Sequence, residues 1–260
     1  DISSIRNLKI TGRMTTEDFA FIRGEMRQLE AINIKDVKII NALDWYYIPT
    51  DVGDPFRDYY SDDVLPRSAF QDMMLLRSVL LPDTIHTIGC HSFSGTKLSA
   101  ALVIPNNVIK INGSAFYGCR CDIVLPDYLE YIESSAFAHN QSDGIFVYGE
   151  LKLPNTLKYI GENAFFRAEG FYGTFNLPSE LEYLGVSAFA GCGDGLEGDI
   201  VVPPTLTVVS RESLCANFRK VGNVILHSGI TRIEENAFSC LKLNNNLIFP
   251  TNLTYIGKGA

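Results

Sequence analysis

The stretch Leu81-Pro82-Asp83-Thr84-Ile85-His86-Thr87-Ile88-Gly89, closed by Ser92-Phe93, decides the fold because it returns throughout the chain. It reappears as Ile104-Pro105 with Val108, Ile111 and Ala115-Phe116, and then from Leu125-Pro126 to Ala136-Phe137. Further copies run from Leu153-Pro154 to Ala164-Phe165, Leu177-Pro178 to Ala188-Phe189, Val202-Pro203 to Leu214, and Leu226 to Ala237-Phe238. A last copy opens at Phe249-Pro250 and reaches Ala260, one residue before its Phe. Self-similarity at a fixed period of about two dozen residues is the mark of a solenoid.

Ahead of each Pro the apolar residues alternate, as in Leu102 and Ile104, Ile123 and Leu125, or Ile200 and Val202. Alternation predicts a short half-buried strand in every unit. Proline ends that strand because it has no N–H for the next ladder bond. A second apolar pair follows, such as Leu157 and Ile160 or Leu181 and Leu184, and then a small residue and the Phe that fills the coil interior. One unit cannot bury its own apolar face, so stability must come from stacking coil on coil.

The beginning obeys a related grammar. Ile5-x-x-Leu8-x-Ile10 and Leu29-x-x-Ile32-x-Ile34 carry the strand pattern. Between them, Thr15 and Thr16 before Glu17 and Asp18 signal a helix start, with Phe19, Ile22, Met26 and Leu29 at helical spacing. The spacing predicts a helix over residues 15–28, part of a strand-helix-strand cap that shields the first coil. Residues 41–66, with Trp45, Tyr46, Tyr47, Phe56, Tyr59 and Tyr60, read as a long aromatic-anchored loop. The expected organisation is a cap over 1–66 and an array of about eight coils over 67–260. No matching cap is visible at the other end, so the chain is expected to continue past Ala260. Asp1 stands where an initiator Met would be, so the chain reads as mature or trimmed.

Composition narrows the function. The chain is 46% hydrophobic, ample for a packed core. Its 22 Lys and Arg against 30 Asp and Glu leave a net charge of -8, which repels phosphate backbones and anionic membrane surfaces. Nucleic acid is therefore not an expected partner. No apolar run is long enough to insert into a membrane.

The L-x-x-I-x-L-P, L-x-x-I-G and A-F pattern, carried in register by residues 70–260, resembles the BspA-type leucine-rich repeat of bacterial surface proteins. The resemblance implies a right-handed α+β repeat superhelix with short strands in each coil. It also implies a secreted or cell-surface, bacterial protein whose repeats serve adhesion or recognition of a host or matrix protein, or of a glycan. It implies no catalytic residues and no cofactor. This copy departs from the pattern at Leu214 in place of a Phe, at His227 in place of a Pro, and in a longer unit around Gln141 to Tyr148.

The cysteines sit at 90, 119, 121, 192, 215 and 240. Cys119, Cys192 and Cys240 fall just past the repeat Phe, where the family's inward-pointing slot makes them a buried ladder of small side chains. Cys119 and Cys192 would lie three coils or ~14 Å apart, too far for a bridge. The spacing leaves a disulfide among Cys192, Cys215 and Cys240 open. Cys119-x-Cys121 lacks the second pair of a zinc site, so no metal is expected. His86, His91, His139 and His227 occupy turn or exposed positions of the repeat. Cys90-His91 is an adjacent pair, a poor geometry for nucleophile and base. Gly193 to Asp199 has the composition of a calcium loop without its ligand spacing. No catalytic motif anchors an enzyme reading.

A solenoid projects each repeat position as a line across its surface. One line runs Ala101, Asp122, Glu150, Thr174, Asp199, Asn223 and Asn246; beside it run Val103, Val124, Lys152, Asn176, Val201, Ile225 and Ile248. Together they predict a binding strip, acidic along one edge through Asp122, Glu150 and Asp199, and apolar along the other through Val103, Val124, Val201 and Ile225. Such β-branched residues also simply suit strands. A third line, Tyr131, Tyr159 and Tyr183, with Tyr255 further on, predicts a row of amphipathic rings. The expected function is a recognition or adhesion module. A spacer that holds another domain outward is the alternative, to be told apart by sequence beyond Ala260.

Overall fold

The computed structural model describes residues 1–40, 62–139, 147–192, 195–215, 220–241 and 247–260, with the side chains of Lys220 and Val221 excepted. The greater part of the predicted aromatic loop, residues 41–61, lies outside them.

Every strand pairing in the described residues is parallel, and each strand pairs with its counterpart one coil away. The first strands of the coils and the two cap strands form one face: Asn7–Met14, Ala31–Ile39 and Ser78–Leu80 in one sheet, then six strands from Leu102–Val103 to Lys220–Ile225. The second apolar pairs form another face, six strands from Val64–Leu65 to Tyr183–Leu184 and three more ending at Tyr255–Ile256. The structure is thus the expected leucine-rich repeat solenoid, with nine rungs on the second face among the described residues.

The repeat Phe forms the spine. Phe70, Phe93, Phe116, Phe137, Phe165 and Phe189 are all buried. From Phe93 to Phe189 successive rings lie 4.9 to 5.2 Å apart and nearly parallel. Each such pair adds about 1 kcal/mol beyond the area it buries. The backbone follows: the N–H of Phe116 donates to Ala136 O at 2.7 Å and that of Phe137 to Ala164 O at 2.8 Å, so the turns form a third ladder between coils. The coils from Ser68 to Asn236 each place a non-glycine residue of that turn in the left-handed region, including Ser114, Ser135, Asn163 and Ser187, with φ from 54 to 58°, and the last coil has Gly259 there.

The cap helix forms over Thr16–Glu25, shorter than the predicted 15–28. Met26, at φ -107° and ψ 50°, leaves the helical conformation, and Leu29 reaches the core from the lead-in to the next strand. Asp18 accepts the Thr15 N–H at 2.7 Å, the reciprocal half of a capping box. Phe19 meets Phe70 edge-on at 5.8 Å, so the helix continues the aromatic spine and covers the first coil.

Candidate recognition surfaces

The tyrosine row is assembled as the repeat predicts. Tyr131, Tyr159 and Tyr183 are register partners in consecutive strands. The rings of Tyr159 and Tyr183 stack 4.7 Å apart at 10°, while Tyr131 is tilted 38° at 6.5 Å from Tyr159. The stack covers the side of each ring that faces the other, and Tyr131 and Tyr183 remain 36% and 39% exposed. Burial raises the Tyr159 hydroxyl pKa, and Glu133, Tyr183 and Glu162 push it the same way. Beside the row, Lys158 donates to Glu130 at 3.0 Å, a contact that raises the lysine pKa. Tyr255 belongs to the separate three-stranded sheet, where the Arg232 guanidinium lies 4.4 Å over its ring.

On the first face Val103 pairs with Val124, and Val201 with Ile225. All four point outward, the first two 71% and 64% exposed. Leu80, at the same repeat position one unit earlier, extends this apolar edge and is 53% exposed.

The acidic line does not run as the repeat spacing suggests. Asp122 stands opposite Tyr148, and Glu150 opposite Tyr172, rather than opposite each other's counterparts. The reason is local. Lines drawn back from the Pro hold near it, but glycines with φ of 106 to 138° at 149, 173 and 198 interrupt the coils upstream. At Gly198 the pairing shifts register before Ile200. Asp199 has a structural use there, since its carboxylate accepts the Asn223 N–H at 2.7 Å. Glu150 pairs with Lys152 at 2.7 Å. Sequence reasoning missed Tyr148 and Tyr172, 37% and 55% exposed between these acids. Their place two residues ahead of Glu150 and Thr174 would have revealed them had the alternation been followed to the strand starts.

Two of the three cysteines expected in the buried ladder occupy it. Cys119 and Cys192 are fully buried past their Phe, and Thr96 in the equivalent slot lies 3.1 Å from Cys119 Sγ. Cys119 donates to Cys121 Sγ at 3.4 Å; that bond, then burial, raises the Cys121 pKa well above the usual thiol value. Burial raises Cys192 likewise. Cys240 departs from the ladder: it is exposed, one residue short of the buried slot, and forms a disulfide with Cys215 in the preceding coil. His139 also departs from its predicted exposure, being 3% exposed. His91 is half-buried with φ 55°, and burial, then Arg67, lowers its pKa. Among the described residues no cluster of His, Cys, Asp or Glu could hold a metal ion. Gly193 and Asp194 lie outside them. No helix among them is long and apolar enough to cross a membrane.

Short parallel strands on two faces, an aromatic spine and a capped start define a leucine-rich repeat protein. The family model described as BspA type leucine rich repeat region matches residues 63–194 and 166–260, in six copies, and the chain belongs to that family. Among solved structures it is similar to a leucine-rich repeat protein from Bacteroides ovatus, with 19% identity and a TM-score of 0.45 over 97% of this chain and 83% of that one. It is also similar to a leucine rich cell surface protein from Faecalibacterium prausnitzii, with 17% identity and a TM-score of 0.44 over 98% and 83%. A third likeness, to a leucine-rich repeat protein from Eubacterium ventriosum, has 16% identity and a TM-score of 0.40 over 98% and 64%. No curated protein matches the chain.

Proposed function

We propose that this chain is a secreted or cell-surface recognition module that acts by binding a host or matrix protein through its repeat faces, not by catalysis. The observation that carries the reading is the stacked pair Tyr159 and Tyr183 beside Tyr131. Stacked rings with exposed edges and hydroxyls offer the mixed apolar and polar contact area that protein interfaces use. The apolar pair Val103 and Val124 offers a second contact area on the other face. An extracellular setting agrees with the Cys215–Cys240 disulfide, since such bridges persist in oxidising compartments.

The test is a binding screen of the intact chain against immobilised matrix proteins and glycans, repeated with Tyr131→Ala, Tyr159→Ala and Tyr183→Ala combined. At least one protein should be bound, with affinity about tenfold lower for the triple variant. Binding unchanged by the triple variant would remove the tyrosine row from the site. A screen with glycan but no protein hits would overturn the choice of partner, and no hits at all would favour the spacer.

A further inference from the structure

The tyrosine row lies among carboxylates. Lys110, Tyr131, Tyr159 and Tyr183 are register partners in four successive coils of the second face. Glu130 and Glu133, on either side of Tyr131 in the chain, are occupied by Lys158 at 3.0 Å and by Lys110 at 3.4 Å. Glu162 and Glu182 are exposed and make no ion pair among the described residues. Glu162 is near enough to act on the Tyr159 hydroxyl, and Glu182, next to Tyr183, acts on the Lys158 amine. Further along the same face the molecule shows what such a surface holds. Arg232 stands at the repeat position of the tyrosines and is the register partner of Tyr255. Its guanidinium lies 4.4 Å over the Tyr255 ring, while its Nε donates to Glu234 at 3.0 Å. One guanidinium is thus met by a tyrosine face and, at its edge, by a carboxylate.

A guanidinium is planar, always charged and weakly hydrated, so it can stack on an aromatic face and still donate in its own plane to a carboxylate. Both kinds of partner stand in the row: Tyr131 and Tyr183 are exposed, and Glu162 and Glu182 hold no cation among the described residues. We propose that the row binds arginine side chains of the protein partner inferred above, their guanidinium groups stacking on the exposed tyrosine rings and pairing with Glu162 and Glu182. The assignment rests on that reading of the chain as a protein-binding module and names the chemistry of the surface it takes. Charge agrees at long range, since a chain of net charge -8 draws a basic surface in and turns an acidic one away. Lysine satisfies a carboxylate but has no plane to lay on a ring, so arginine is the preferred cation.

The experiment titrates the full chain with a fluorescent peptide of alternating Arg and Gly and follows anisotropy at low and physiological ionic strength. Peptides with Lys or Glu in place of Arg are run beside it. Glu162→Gln/Glu182→Gln is compared with Glu25→Gln/Glu197→Gln, which removes the same charge from the cap helix and the first face. All of these side chains are exposed, so the near-isosteric exchange leaves the fold intact. The Arg peptide should bind at least about threefold more tightly than the Lys peptide, and the Glu peptide at least about tenfold more weakly than either. Binding of the Arg peptide should weaken with salt, fall at least about fivefold for Glu162→Gln/Glu182→Gln, and fall less than about twofold for the control. In the tyrosine triple variant the preference for Arg over Lys should vanish. Absence of Arg-peptide binding, equal affinity for the Lys or the Glu peptide, equal losses in the two double variants, or a preference for Arg that survives the tyrosine triple would each overturn the proposal. A protein found by the screen above separates the two readings. If its binding falls with the tyrosine triple but holds in Glu162→Gln/Glu182→Gln, the recognition role stands and arginine is removed as what it recognises.

Discussion

Gly185 lies against the peptide of Glu162 in the preceding coil so closely that a Cβ on Gly185 would stand 2.5 Å from the Glu162 nitrogen. The contact is with backbone that the Gly185 N–H and Ile160 O help to lock at 2.8 Å, so neither side can yield cheaply. Gly185→Ala should therefore lower stability by about 2 kcal/mol or more, read as a shift in the denaturant midpoint. An unchanged midpoint would mean the coils can slide apart without cost.

The aromatic spine can be probed at its centre. Phe116→Ala should cost about 3 to 5 kcal/mol, and Phe116→Leu less, about 2 kcal/mol, mostly the two lost ring stacks. The chain has already made the second exchange at Leu214, which is fully buried in the same repeat position. If both substitutions cost the same, ring stacking matters more than filled volume.

Cysteine chemistry gives a counting test. Cys90, Cys119, Cys121 and Cys192 are free and buried, and Cys215 and Cys240 are bridged. Alkylation followed by mass spectrometry should therefore add nothing to the native chain. It should add four groups in denaturant, and six in denaturant with a reductant. Reducing the bridge, which spans a sequence separation of 25, should cost about 3 to 4 kcal/mol by loop entropy. Rapid labelling of the native chain would contradict the buried ladder.

His91 links stability to pH. Its folded-state pKa is lowered, so the unfolded chain binds a proton more readily than the folded one. The stability it contributes is complete above the ordinary histidine value of about 6.5 and is lost as pH falls through the folded value. His91→Asn should lessen the drop in Tm between neutral and mildly acidic pH. Asn also tolerates the φ of 55° at this site, so Tm at neutral pH should hold or rise. A drop in Tm as steep as that of the parent would clear His91 of any role.

Much of this architecture is legible from residues such as Pro105, Phe116 and Ile111, because Pro, Phe and alternation each impose one local consequence that stacking repeats. The left-handed residues were not legible. Ser114, Asn163 and Glu212 share no side-chain property that demands φ near 55°, and the turn's bonds to the next coil hold them there. The surface lines were legible only where register follows sequence spacing. Val103 and Val124 meet as spaced, whereas Asp122 and Glu150 do not, because glycine-bearing bulges change which residues face each other. The Cys215–Cys240 bridge depended on a difference of one residue in the turn, which repeat counting does not resolve.

That bridge also sets how the molecule bears load. Each coil is gripped only by its neighbours, so tension on the C-terminal end should peel the stack one rung at a time, like tape from a roll. Cys215 and Cys240 tie two consecutive coils together. Peeling that reaches the tie must stop releasing chain between those residues, and the rungs upstream then meet the force as a block. The bond would act as a stop, limiting how far the array can unravel under load before it winds back.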